Sequence, residues 1–218
     1  MRVAALYDVH AMPWALDAVL DEADADAVVF GGDFVGGPAP AETLERIRSL
    51  DAVVIRGNAE RDPDEWDRGR LEPDELAWLA GLPASMLLDG VLYCHSTPTA
   101  DLPLVTEATP DAAVKELFGD VSGTVVIGHT HHQFDRRVGD LRLVNAGSVG
   151  MPYEDDVAAF WALVVDGEPA FRRTPIDVER AEAELAASGW PGAAAFVAEN
   201  LRTAPSRADA IAHFERLR

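Results

Sequence analysis

Residues 124–131 read Thr-Val-Val-Ile-Gly-His-Thr-His. The apolar, β-branched run over 124–127 predicts a short buried strand. Gly128 follows this run, and glycine lets the backbone turn sharply because it has no Cβ to clash. His129 and His131 then leave the strand end two residues apart, where both imidazoles can bind a metal pair. A polar loop with two incidental histidines has the same sequence, so the segment needs support from the rest of the chain.

Four other predicted strands end in polar residues in the same way. These are Asp8 and His10 after residues 2–7, Asp33 after 27–30, Asn58 after 52–55 and His95 after 91–93. In an open α/β sheet, ligands bind outside the carboxyl ends of the strands. We therefore expect these side chains to converge at one edge with His129 and His131. Imidazole, carboxylate and amide donors together suit Mn²⁺, Fe, Zn²⁺ or Co²⁺ better than Ca²⁺ or Mg²⁺.

The order of the predicted elements indicates an α/β fold. Helical spacing of apolar residues over about 14–24 and 40–50 alternates with the first three strands. A β-α-β-α-β order is typical of a mostly parallel sheet with helices packed against it. The second half is richer in antiparallel strands, because hairpin turns are predicted at Asp89-Gly90, Gly139-Asp140 and Asp166-Gly167.

The end of the chain differs in composition from the rest. The stretch Thr109-Pro110-Asp111 is predicted to cap a helix that ends near Phe118, with the threonine side chain as the capping group. From about residue 177 the sequence becomes alanine-rich and helical, in three pieces separated at Gly189, Pro191-Gly192 and Pro205. We expect one domain over residues 1–176 and a helical extension over 177–218 that packs on the same domain.

Composition limits the classes of function. The 218 residues are 48% hydrophobic and 26% charged, as expected for a globular chain. The net charge of −20 repels nucleic-acid backbones and anionic membranes, and no apolar run reaches the roughly 20 residues that span a bilayer. The single cysteine, Cys94, excludes an internal disulfide. With no signal-peptide layout at the N-terminus, we expect a cytoplasmic protein.

The ordered motifs resemble a known superfamily. Asp-x-His, Gly-Gly-Asp, Gly-Asn, His and Gly-His-Thr-His, over roughly residues 2–175, are similar to those of the calcineurin-like metallophosphoesterases. The resemblance implies a four-layer α/β/β/α sandwich with a short helical C-terminal extension. It also implies that one metal is held by Asp8, His10 and His131, the other by Asn58, His95 and His129, and that Asp33 bridges them.

The resemblance further implies an activity. Two divalent ions, Mn²⁺ foremost and Fe, Zn, Co or Ni as alternatives, would share a hydroxide that attacks a phosphodiester or an activated phosphomonoester. Catalysis would depend on Asp8, Asp33, Asn58 and His95. Because only two of the ligands are carboxylates, the loaded site stays electropositive and attracts phosphate. We expect a small phosphate ester as substrate, without nucleic-acid polymers or membranes as partners, and leave a homo-oligomer open.

The sequence departs from the family pattern in several places. Ala59 stands where the family commonly has the histidine thought to protonate the leaving group, a role worth roughly 10²–10⁴ in rate. Ala11-Met12 and His132-Gln133 replace a common Gly-Asn pair and a common proline. We expect modest turnover, good leaving groups or an acid supplied elsewhere. A protein phosphatase is disfavoured because those enzymes usually carry the histidine that Ala59 replaces. The alternative from another functional class is a binding or scaffold protein that keeps the fold but has lost activity.

Two further residues are candidate phosphate contacts. Arg56 follows the third strand, where a solvated or salt-bridged arginine is the simpler interpretation. His132 follows the His-x-His pair, where a surface histidine is the simpler interpretation. Residues 145–150 resemble the family's Asn-Pro-Gly-Ser loop, which borders the site.

Overall fold

The computed structural model describes residues 1–218 and contains two five-stranded sheets. The strands are β1 (Arg2–Leu6), β2 (Ala27–Phe30), β3 (Val53–Val54), β4 (Ser85–Leu88), β5 (Val91–Cys94), β6 (Gly123–Ile127), β7 (Phe134–Val138), β8 (Leu141–Asn145), β9 (Ala158–Val165) and β10 (Glu168–Pro175). The helices are α1 (Pro13–Glu22), α2 (Pro40–Ser49), α3 (Asn58–Arg61), α4 (Glu65–Arg68), α5 (Pro73–Gly81), α6 (Asp111–Phe118), α7 (Val178–Ser188), α8 (Ala193–Phe196), a π-helical turn (Val197–Leu201) and α9 (Arg207–Leu217).

Each sheet contains three adjacent parallel strands. The first sheet has the order β10-β9-β1-β2-β3, in which β1, β2 and β3 are parallel and β9 and β10 are antiparallel. The second has the order β4-β5-β6-β8-β7, in which β5, β6 and β8 are parallel between two antiparallel edge strands. The parallel strands of each sheet therefore share a carboxyl edge, as the β-α-β pattern predicted.

Strand β1 shows how the layers are stacked. Because successive side chains of a strand point to opposite faces, Val3 and Ala5 belong to the core between the two sheets, whereas Ala4 and Leu6 face the helices. Tyr7 continues the inner face and donates a hydrogen bond from its hydroxyl to the carbonyl oxygen of Val126 in the other sheet, at 2.8 Å.

The two outer faces are covered by helices. On the first sheet, Leu16 and Val19 of α1 and Leu44 and Ile47 of α2 are buried in one core. Burial of each such side chain contributes about 1.5–3 kcal/mol. On the second sheet, α6 contributes the buried side chains Val114 and Phe118. The predicted four-layer sandwich is therefore confirmed.

The C-terminal segment packs on this body in two ways. Leu185, Phe196 and Leu201 are buried in the same core as α1 and α2. Helix α9 buries no residue fully and is held by polar contacts, among them hydrogen bonds of 2.6 Å from the hydroxyls of Thr106 and Thr109 to the carboxylate of Glu215. The division at residue 176 stays a prediction.

Two local expectations are wrong. The third strand is only Val53–Val54, shorter than the predicted 52–55, because only these two residues pair with β2, at Val29 and Phe30. Thr109 does not cap α6: Pro110 is the capping residue, and the Thr109 hydroxyl instead donates to Glu215 and accepts from the N–H of Thr106. No helix combines the length and hydropathy that a bilayer crossing needs.

Candidate metal centre

Six side chains at the strand ends fall into two groups. Within each group the potential ligand atoms all lie within 4.8 Å of one another. The first group is Asp8, His10 and His131, and the second is Asp33, His95 and His129. They follow β1, β2, β5 and β6, so strands of both sheets meet at this edge. The structure thus brings together the six His and Asp residues that the sequence placed at strand ends.

Backbone carbonyls orient the imidazoles of the first group. His10 Nδ1 lies 3.3 Å from the carbonyl oxygen of Gly36, and His131 Nδ1 lies 2.7 Å from that of Met151. A carbonyl only accepts, so the proton of each ring sits on Nδ1 and Nε2 faces the group. The two Nε2 atoms are 3.1 Å apart, and that of His131 lies 3.3 Å from Asp8 Oδ1.

Backbone carbonyls also orient the imidazoles of the second group, but the ring of His129 is reversed. His95 Nδ1 contacts the carbonyl oxygen of Gly31 at 3.0 Å, and its Nε2 lies 3.4 Å from Asp33 Oδ2. His129 instead turns Nε2 to the carbonyl oxygen of Leu102, at 3.2 Å, and points Nδ1 inward. The inward nitrogens of His95 and His129 are 3.1 Å apart.

Two facing nitrogens at this distance need a cation between them. Burial disfavours the charged form of His95, but the Asp33 carboxylate outweighs it and raises the pKa of His95 to about 10. Burial and the neighbouring His95 lower the pKa of His129 to about 4. In the first group the pKa of His131 is raised by Asp8 against the effect of burial, and that of His10 is lowered by burial and by His131. The opposite pKa shifts within each pair reflect the close approach of the two nitrogens, which a divalent ion between them would satisfy.

Two buried oxygens also lack partners. Neither oxygen is open to solvent: Asn58 Oδ1 has no partner, and Asp8 Oδ1 accepts no well-formed hydrogen bond and has His131 Nε2 nearby, at 3.3 Å. An unsatisfied buried polar atom costs about 1–3 kcal/mol, and a bound cation removes that cost. Together with the neutral imidazoles, these oxygens form a donor set that fits borderline divalent ions.

The sequence profile of the calcineurin-like phosphoesterase superfamily domain matches residues 1–168, a range that contains both ligand groups and Asn58. The chain belongs to this superfamily. It is similar to a metallophosphoesterase of Sphaerobacter thermophilus, at 25% identity over 88% of this chain and 95% of that one, with a TM-score of 0.75. A hypothetical protein of Pyrococcus horikoshii has the same fold, at 18% identity over 90% and 96% of the two chains, also with a TM-score of 0.75. No curated protein matches the sequence significantly.

The backbone at this candidate metal centre is strained. Five of the six grouped residues have a positive φ, namely Asp8, His10, Asp33, His129 and His131, with values from 48° to 68°. For residues with a Cβ this conformation costs of order 1–3 kcal/mol each, so the surroundings must impose it. Neighbouring strand ends do so, since the N–H of Asp8 donates to Gly32 O at 3.0 Å and that of His10 to Asp33 O at 2.9 Å.

Two glycines of the family motifs leave room for the carboxylates. A Cβ on Gly57 would lie 2.2 Å from Asp33 Oδ1, and one on Gly128 would lie 2.4 Å from Asp8 Oδ2. Real Cβ atoms do not approach oxygen so closely, so any other residue would displace the carboxylate. The Gly-Asn and Gly-His motifs are therefore requirements of the site's packing.

Glu60 is a supporting residue that the sequence analysis missed. Its buried carboxylate accepts backbone N–H groups from Asp33, Phe34, Val35 and Gly57 at 2.7–3.1 Å. Burial and the charge of Asp33 raise the pKa of Glu60 to about 7, while these N–H groups oppose that shift. The one signal in the sequence is its position three residues after Gly57, where a glutamate can accept from the backbone N–H that precedes a helix.

The loop over residues 145–150 supports the ligands from behind. Ser148 Oγ donates to the carbonyl oxygen of Asp8 at 2.7 Å, and Asn145 Nδ2 donates to that of Gly128 at 2.6 Å. Tyr153, which the sequence did not single out, stacks on His131 with the ring centres 5.1 Å apart and an interplanar angle of 16°. Loop and tyrosine together fix the backbone and ring positions of the first group.

The two candidate phosphate contacts are placed differently. His132 is fully buried, and its Nδ1 hydrogen-bonds the carbonyl oxygen of Thr130 at 2.7 Å. A surface histidine is therefore wrong for this position, and burial lowers its pKa to about 4, but no contact joins it to the two groups. Arg56 is half-buried beside His95 and makes no salt bridge. At Ala59 only the backbone reaches the site, through an N–H that donates to Asp33 Oδ1 at 2.8 Å.

Metal binding should raise the thermal stability of this protein. Saturation with Mn²⁺ at about 100 times the dissociation constant stabilises the folded state by about 2.7 kcal/mol, or roughly 5–10 °C in Tm for a chain of this size. We expect this shift, measured by differential scanning fluorimetry, to fall by more than half in His131→Asn. The control His213→Asn changes an exposed histidine of α9 and should keep the full shift. An equal shift in both variants would contradict the ligand assignment.

Proposed function

We propose that the protein is a phosphoesterase that uses two divalent ions, with Mn²⁺ the first candidate, to hydrolyse phosphodiesters or activated phosphomonoesters. The observation that carries the proposal is the pair of adjacent ligand groups, each with two imidazole nitrogens fixed 3.1 Å apart. The groups adjoin one another, because His95 Nε2 of the second lies 4.0 Å from Asp8 Oδ1 of the first. Membership of the phosphoesterase superfamily supports the reaction class.

The ligand roles follow from these positions. In our assignment Asp8, His10 and His131 hold one ion, and Asn58, His95 and His129 hold the other. Asp33 bridges the two, which is supported by the fact that the pKa of its buried carboxylate is lowered by His95 of the second group and by His10 of the first. Asn58 completes the second group with its unpartnered Oδ1.

The chemistry needs a positive site in a strongly acidic chain. When bound, two divalent ions would activate a water molecule at neutral pH and neutralise charge on the phosphoryl group. The ligands oppose this positive charge little, because five of the seven are neutral. Although the chain as a whole has a net charge of −20, the metal-loaded site would be locally positive and would attract an anionic ester.

The chain departs from the family pattern at the residue thought to protonate the leaving group. Ala59 provides no acid, so the proposed activity suits leaving groups that depart as stable anions, such as nitrophenolate. The same residue favours the alternative that the chain is an inactive scaffold of this fold. Against that alternative, all seven ligand positions keep a metal-binding side chain.

A direct assay separates these two functions. The Mn²⁺-loaded protein should hydrolyse bis-(p-nitrophenyl) phosphate or p-nitrophenyl phosphate, followed by absorbance of nitrophenolate. Asp33→Asn keeps the shape of the side chain but removes the bridging charge, and we expect it to lower kcat/KM by at least about 10²-fold. Asp120→Asn, which changes an exposed residue without hydrogen-bonded partners, should match the unmodified protein. Equal activity in Asp33→Asn and Asp120→Asn would contradict the role given to Asp33. No hydrolysis by a protein with both ions bound would favour the scaffold.

Restoring the absent histidine should change the choice of leaving group. We expect Ala59→His to raise kcat on a methyl p-nitrophenyl diester little, because nitrophenolate needs no proton. On a matched alkyl ester the rise should be at least about tenfold, a conservative fraction of the roughly 10²–10⁴-fold that general acid catalysis supplies. The measurement is the ratio of the two kcat values in each protein. An equal change on both esters would mean that position 59 does not serve the leaving group.

A further inference from the structure

A polar cavity of about 240 Å³ lies directly beside the candidate metal centre, on the side of His95. Its polar lining consists of Arg56, Arg61, His95, Thr97, Thr99 and Asp101. His95 therefore has one ring edge in the metal centre and is also part of the wall of a second compartment. The hydrolysis proposed above assigns no role to the other residues that line this cavity.

The cavity carries one unmatched positive charge. Arg61 is paired with Asp101, at 2.8 Å between Nε and Oδ2, so these two charges cancel. Arg56 has no carboxylate within salt-bridge distance, its Nε is buried without a partner, and its one hydrogen bond is 3.5 Å long, to the carbonyl oxygen of Ala80. Other half-buried arginines of the chain, such as Arg46 and Arg142, are neutralised by acids. A guanidinium left free in so acidic a protein is suited to an external anion.

The same short elements build the cavity and the centre. Arg56 and Asn58 flank Gly57, and Arg61 lies three residues after Asn58, on the same side of helix α3. Thr97 and Thr99 follow His95 in the chain. The Thr97 hydroxyl is occupied by the backbone of Ala100, whereas that of Thr99 has no partner and remains free to donate. A ligand held at the ions is therefore adjacent to donors that the protein itself leaves without strong partners.

We propose that this cavity binds a second anionic group of the substrate, a carboxylate or a further phosphate, through Arg56 and Arg61. The inference rests on the proposed function, which it makes more specific: the substrate is a phosphate ester whose other part carries a negative charge. Charge-assisted hydrogen bonds from guanidinium groups are stronger than neutral ones and match planar carboxylate or phosphate oxygens. Arg56 then serves a distal anion and not the phosphoryl group that reacts.

Binding of non-hydrolysable probes tests this proposal without turnover. The probes are alkyl phosphonates with two, three or four methylenes that end in a carboxylate, each paired with its neutral carboxamide. Dissociation constants are measured by titration calorimetry on the Mn²⁺-loaded full chain. For at least one length, the carboxylate should bind about tenfold or more tightly than the carboxamide, as expected for hydrogen bonds to a charged group. Arg56→Gln should reduce this preference to within about twofold and weaken carboxamide binding much less than carboxylate binding.

Two further variants test whether the preference depends on the arginines of the cavity. Arg61→Gln should also remove the preference, because it leaves the Asp101 carboxylate uncompensated in the cavity. Arg137→Gln changes an exposed arginine of β7 that has no acidic partner, and should keep the preference. The proposal is overturned if no length shows the preference, or if the preference survives in Arg56→Gln. If phosphonates of both kinds fail to bind the loaded protein, the proposed function itself fails, and this inference with it.

Discussion

In each ligand group two imidazole nitrogens face one another at 3.1 Å, and a cation between them is the condition on which the site depends. Four backbone carbonyls, those of Gly36, Met151, Gly31 and Leu102, accept from the outer nitrogens and so fix the inner ones in place. In both groups these contacts direct the inner nitrogens toward one point, where a bound ion would lie.

This arrangement of the ligands requires a strained backbone, and contacts elsewhere in the fold offset the free-energy cost of that strain. Asp8, Asp33 and His129 have positive φ angles at the ends of strands. The strain is confined to the few residues where the parallel strands of the two sheets stop, and the buried sheets behind them are regular. Glu60 contributes by gathering four N–H groups from the two loops that carry Asp33 and Asn58. The sandwich therefore acts as a rigid support for a small strained edge.

Much of this could be predicted from the sequence because the signals are local. A β-branched run followed by glycine and histidine marks a strand end, and parallel strands bring such ends together. The four layers came from a family resemblance, which the alternation of Val3 and Ala4 between two cores bears out. Contacts between residues distant in the chain gave no such signal. The reversed ring of His129 depends on the carbonyl oxygen of Leu102. The hydroxyl of Thr109 donates to Glu215, 106 residues away, and does not cap α6 as predicted. Tyr153 was missed for the same reason, whereas Glu60 was missed although its position three residues after Gly57 is a local signal.

Equilibrium dialysis against Mn²⁺, followed by elemental analysis and electron paramagnetic resonance, would count the bound ions and show whether they are neighbours. Two adjacent ligand groups predict two ions per chain with the spectrum of an exchange-coupled pair. In His10→Asn, which changes the first group alone, the stronger remaining site should give one ion and an uncoupled signal. A single ion in the unmodified protein, or two ions without coupling, would contradict a binuclear centre at this edge of the sandwich.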